Sequence, residues 1–185
     1  PLFQLLSEAG IAAIPVIVDK NRETAENLEM VENVLADIQA NGALSALPVA
    51  VSGIGYGGFI AGHLLARKNC FAAGAIISGL TNPATAYGTC KGITLSQNAI
   101  SDDFSMMDYL SRLTKESVVY HCDDIHTPLL LLHGFHDEIY GFEQAEQLFT
   151  SVKERQPQSE IRMVVFPTGD DNLAEDPDCK EKYFE

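Results

Sequence analysis

The sequence predicts an α/β fold, a mostly parallel sheet with helices on both faces. Two observations predict it. Apolar runs rich in Ile, Val and Leu alternate along the chain with segments whose apolar residues recur at helical spacing. The runs are also apolar throughout, which is the pattern of strands buried on both faces and so of parallel pairing. At 185 residues the chain suits one domain, residues 1–185, with a sizeable core.

Each element follows from local signals. Leu2 to Ala9 reads as a helix closed by Gly10, a residue suited to a helix C-cap. Ile11 to Val18 reads as a strand. Leu28, Val31, Val34, Leu35 and Ile38 share one helical face, and Asn41-Gly42 stops that helix. Pro48 to Ser52 is a strand, Tyr56 to Arg67 a helix and Phe71 to Ser78 another strand. From Gly79 to Thr127 the pattern weakens under Asn82-Pro83, Gly88 and Gly92, with a helix expected at Phe104 to Leu113. This stretch, about residues 80–126, reads as an excursion over the sheet edge. Leu129 to Leu132 is a strand, Glu143 to Glu154 a helix and Ile161 to Phe166 the last strand. Asp176 to Glu185 is polar and is expected as an exposed end or the start of a further helix.

The net charge of −14 argues against nucleic acid and anionic membrane surfaces, which are met by basic patches. No apolar run reaches the roughly 18 residues of a membrane helix. Cys70, Cys90, Cys122 and Cys179 are widely spaced and form no C-x-x-C pair, so neither a metal nor a cofactor is expected. They read as thiols of a reducing, cytoplasmic compartment.

The stretch that carries chemistry is Gly53-Ile54-Gly55-Tyr56-Gly57-Gly58, between a strand and a helix. It admits two readings. As G-x-G-x-x-G it is a dinucleotide-binding turn, which also needs an acid roughly 20 residues on to hold the ribose. The next strand runs into Ser78-Gly79-Leu80-Thr81-Asn82, and no acid occurs between Asp37 and Asp102. As G-x-S-x-G with glycine in place of serine it is a nucleophile elbow. Gly53 and Gly57 then flank Gly55, Gly58 allows close helix–sheet packing, and the Tyr56 N–H faces an oxyanion site. Downstream, Pro128-Leu129-Leu130-Leu131-Leu132-His133-Gly134-Phe135-His136-Asp137 is a strand ending in H-G-x-x-D, where a triad acid stands. Phe166-Pro167-Thr168-Gly169-Asp170-Asp171 follows the last strand, where the histidine loop stands.

These segments resemble the C-terminal catalytic domain of the prolyl oligopeptidase family, particularly its acylaminoacyl-peptidase-like and dipeptidyl-peptidase-like members. The family elbow is G-x-S-Y-G-G, its acid strand P-L-L-L-x-H-G-x-x-D, and its histidine loop roughly F/Y-P-x-x-x-H. Lys115-Glu116-Ser117-Val118 also resembles the short S-P segment ahead of the acid strand. The resemblance runs from about Phe3 to Asp171 and implies an α/β-hydrolase fold, here lacking the first strands and the last helix. It implies a piece of a longer protein, without the β-propeller that usually covers the site.

The resemblance also exposes what has changed. Gly55 occupies the nucleophile position, Asp137 the acid position and Asp171 the histidine position. Glycine cannot attack a carbonyl, and a carboxylate is a weak base at neutral pH. The last histidine of the chain is His136, which precedes Asp137, so none is left for the usual loop. His136 is the candidate displaced base, while His133 reads as a packed structural residue. Ser52 reads as a buried strand serine, and Cys70 and Cys122 as core or loop thiols. Val18 to Glu23, where a second oxyanion donor would lie, is short and lacks glycine. Asp137, Asp170 and Asp171 could converge on a cation, or the last two could form a polar loop. The expectation is a homologue without catalytic activity that binds a peptide-like ligand or a protein partner, such as an active relative or its own missing N-terminal domain. Residual or rewired hydrolysis is the alternative, and a dinucleotide-binding domain a more distant one.

Overall fold

A computed structural model of the chain describes residues 6–91 and 105–173. Four strands form one sheet: β1 Ala50–Ile54, β2 Ala73–Ile77, β3 Leu129–Gly134 and β4 Ile161–Phe166. All are parallel, and their order in space is their order in the chain. The helices are α1 Thr24–Ala40, α2 Tyr56–Arg67, α3 Pro83–Ala86, α4 Met106–Glu116 and α5 Glu143–Arg155. A 3-10 segment, Val118–Asp124, leads into β3. The expected α/β architecture is therefore present, with α2 and β4 at the expected bounds.

Side chains on alternate strand positions point to opposite faces. Ile76, Leu129, Leu131 and Ile161 join Leu28 of α1, Ile60, Leu64 and Leu65 of α2, and Leu148 and Val152 of α5 in the main core. On the other face Ile77, Leu132 and Phe166 pack with Leu173, from the chain after β4. That second face is thinly covered: Ala73 and Arg162 are exposed, as is Val164. Helix α2 is buried from Gly58 through Leu65, which explains why its sequence is apolar all round.

One expected element is absent. Residues 11–19 pair with no strand, and Ile11, Ile14 and Ile17 are 52%, 50% and 90% exposed. Pro15 sits in the middle of that run and offers no N–H to a ladder. No described strand lies beside it to supply partners. Before it, residues 6–8 are helical and Gly10 turns the chain at φ 77°, while the start of that expected helix and the tail from Asp176 lie outside the described residues.

The excursion is more ordered than the sequence suggests. Asn82 caps α3, its side-chain oxygen accepting from the Thr85 N–H and from the Ser117 hydroxyl. Gln144 of α5 is wholly buried, and its Oε1 accepts from the N–H groups of Thr81 and Asn82. Ser105 caps α4. Buried amides and hydroxyls thus tie the segment after β2 to α5.

His63 of α2 is a buried titratable residue. Its Nε2 donates to the Glu116 carbonyl at 2.8 Å, and its ring stands edge-on to Phe59. Burial holds its pKa down at about 4; nearby His121 and Arg67 act the same way, and the bond to Glu116 opposes them. Above pH 6.5 the imidazole is neutral in folded and unfolded chains alike. As pH falls from about 6.5 to about 4, the unfolded chain takes up a proton that the folded chain refuses, so stability falls. The loss should approach about 3 kcal/mol. Urea unfolding of the native chain and of His63→Gln, which keeps a donor but does not titrate, should show a shallower pH dependence for the variant across this window.

Candidate active site

The register aligns Ile54 with Ile77, and Ile77 with Leu132, so β1 and β2 end level, and β3 and β4 run two residues further to Gly134 and Phe166. Ligands of open α/β sheets bind at this carboxyl end. Three segments meet there: the turn after β1, the loop after β3 and the loop after β4.

The first is a strand-to-helix turn of one residue. Gly55 lies between β1 and α2 at φ 57°, ψ −120°, a left-handed conformation that strains any L side chain. Its N–H donates to the Ile77 carbonyl at 3.0 Å, and its carbonyl accepts from the N–H groups of Gly58 and Leu80. A Cβ at Gly53 would lie 2.0 Å from the Gly57 carbonyl oxygen, so β1 can approach α2 only with glycine there. A Cβ at Gly58 would lie 3.0 Å from Gly79 Cα and from Ile76 Cγ2. At Gly57 a Cβ would meet nothing within 4 Å, so the demand for glycine is one-sided. This is the backbone of a nucleophile elbow, and the Tyr56 N–H opens its helix.

The second segment carries Asp137, whose side chain is fully buried. Its Oδ1 accepts from the N–H groups of Ile139 and Tyr140, both at 2.9 Å. His133 Nε2 lies 2.6 Å from the Tyr140 carbonyl oxygen and 3.2 Å from Asp137 Oδ2. A carbonyl only accepts, so Nε2 carries the proton and bonds to Tyr140. Asp137 Oδ2 has the ring as a neighbour but no aligned donor, and it is the buried carboxylate oxygen left without a hydrogen bond.

The third segment packs on the second. The His136 N–H donates to the Gly169 carbonyl, and Gly134 packs against the carbonyls of Gly169 and Asp170. Asp170 and Asp171 are exposed, and Asp170 turns back to accept the Asn172 N–H. Among the described residues no group of three His, Cys, Asp or Glu side chains is placed to hold a metal ion. The acid loop and the loop bearing Asp171 are thus brought together, but the three aspartates form no cation site.

The other candidates are scattered. His136 is exposed, with its ring edge-on to Phe135 and no hydrogen bond to Asp137. His133 is 1% exposed, a packed residue whose role is to hold the acid loop. Ser52, expected to be buried, is exposed, because its side of β1 is uncovered among the described residues. Cys70 is exposed, Cys122 buried, and Cys179 lies outside the described residues. Val18 to Glu23 is pinned by buried Asn27, which bonds the Asp19 N–H and carbonyl and reaches the Tyr56 hydroxyl at 3.5 Å.

Sequence reasoning missed Asn27 and Tyr140. A Cβ built on Gly55 would lie 3.2 Å from Cε2 and 3.7 Å from Cδ2 of Tyr140. The tyrosine is 8% exposed, and burial raises its pKa. Its position three residues after the acid was the available signal.

Comparisons with known proteins agree with this fold. A family model described as the prolyl oligopeptidase family matches residues 21–174. The chain is 30% identical over 127 residues to an uncharacterized peptidase, YuxL, of Bacillus subtilis (strain 168), covering 68% of this chain and 19% of the relative. Its fold is similar to that of Pyrococcus horikoshii acylaminoacyl peptidase, with a TM-score of 0.73 at 19% identity over 87% of this chain and 26% of that one. An acylaminoacyl peptidase in complex with Z-Gly-Gly-Phe-chloromethyl ketone gives the same TM-score and identity, over 88% and 26%. The chain therefore spans about a fifth to a quarter of these relatives. No described helix is long and apolar enough to cross a membrane.

The one-sided demand for glycine is testable. Gly53→Ala should destabilise the fold by about 3 kcal/mol, since a backbone carbonyl cannot yield to the new methyl. Gly57→Ala should change stability by no more than about 1 kcal/mol. Denaturant midpoints of the two variants measure the contrast.

Proposed function

This chain belongs to the prolyl oligopeptidase family, and on that premise we propose that it is a non-catalytic member that binds a peptide-like ligand or a partner subunit without cleaving it. The observation that carries the reading is Gly55 at the apex of an elbow whose backbone is otherwise complete. The scaffold aims position 55 at the carboxyl end of the sheet, and glycine brings no nucleophile there.

The second support is the histidine. All five histidines of these 185 residues precede Asp137, and the loop after β4 that carries Asp171 holds none. Asp171, at the corresponding position of the loop, is exposed and cannot serve as a base in its place. Members of a triad act as a unit, and losing the nucleophile and base of a serine protease lowers turnover about a million-fold. What survives is binding and the oxyanion donor, worth about a thousand-fold or more over water in such enzymes. The acylaminoacyl peptidase solved with a peptidyl chloromethyl ketone makes a peptide-like ligand the natural candidate for this site.

The test is hydrolysis of activated esters and acyl-peptide amides by the purified full-length protein, with fluorophosphonate labelling read by mass spectrometry. The expected result is no turnover above background and no labelled residue. Turnover accompanied by a label on one side chain would name a nucleophile and overturn the reading in favour of a rewired hydrolase.

A further inference from the structure

We propose that Tyr140 is a built-in plug of the nucleophile site, its ring occupying the space in which an acyl group would bond to a side chain at position 55. The inference rests on the non-catalytic reading and adds to it: the site is closed by a second, independent feature.

The geometry is direct. The first carbon of any side chain at position 55 would stand 3.2 Å from Tyr140 Cε2, inside ordinary carbon–carbon contact. A tetrahedral acyl carbon bonded one atom further out, carrying its own substituents, needs more room on that side. The ring is not free to swing away. It belongs to the main core and is 8% exposed. Its backbone is fixed at both ends, the Tyr140 N–H donating to Asp137 Oδ1 at 2.9 Å and the Tyr140 carbonyl accepting from His133 Nε2 at 2.6 Å. The next N–H, of Gly141, donates to the Cys90 sulfur at 3.3 Å.

The retained acid thereby has a task that needs no catalytic histidine. Asp137 and His133 position the plug. This accounts for a buried carboxylate that keeps one oxygen on two backbone donors of the segment bearing the ring.

Thiol accessibility tests the plug without requiring any catalysis. Gly55→Cys, Gly55→Cys/Tyr140→Val and Gly55→Cys/Tyr140→Phe are made in the full-length protein and alkylated with iodoacetamide. Rates are read peptide by peptide, and buried Cys122 reports on folding in each variant. The expected result is a rate at position 55 at least tenfold faster with valine than with tyrosine, and within twofold of the tyrosine rate with phenylalanine, which keeps the ring. Equal rates with tyrosine and valine would overturn the proposal. If valine unfolds the chain, so that Cys122 reacts as well, Tyr140→Leu replaces it with the same expected and overturning outcomes. Failure of the non-catalytic reading would appear separately, as fluorophosphonate labelling of the unmodified protein.

Discussion

The closeness with which the first turn of α2 approaches β1 governs the carboxyl end of this sheet. The Gly57 carbonyl lies where a Cβ of residue 53 would be, so the two elements can meet only across a glycine. That contact forces the chain through one left-handed residue, Gly55. The reversed carbonyl of Gly55 then accepts from Leu80, which anchors the segment after β2 beside the elbow. The constraint is entirely in the backbone. It persists whatever side chain stands at position 55.

The fold was largely legible in the sequence because its strands and helices have different periods. Tyr56–Arg67 and Ile161–Phe166 stand where the apolar pattern puts them. The strand expected at Ile11 to Val18 was misread because composition outweighed Pro15, and because a strand exists only with a neighbour, which no local pattern reports. The 3-10 segment Val118–Asp124 and the short helix Pro83–Ala86 were missed for the opposite reason. They are held by partners distant in the chain, such as Gln144 against Thr81 and Asn82.

The candidate site was legible where a motif fixes spacing and illegible where space itself is the variable. Gly53, Gly55 and Asp137 could be found by counting residues. Tyr140 could not, because its place three residues after the acid does not say that its ring faces Gly55 across 84 intervening positions of chain. Likewise Asn27 looks like an ordinary helix-face amide until it is seen wholly buried and holding the Val18–Glu23 loop.

The conformation of Gly55 has an evolutionary consequence. A residue with a side chain held at φ 57° bears a steric penalty on the order of 1–3 kcal/mol, and glycine bears almost none. An exchange of serine for glycine at such a point relaxes the folded chain at the moment it removes the nucleophile. Reversal would bring back that strain and would also have to displace the aromatic ring that abuts the site. Selection for stability alone therefore favours glycine at this position, whatever the site binds.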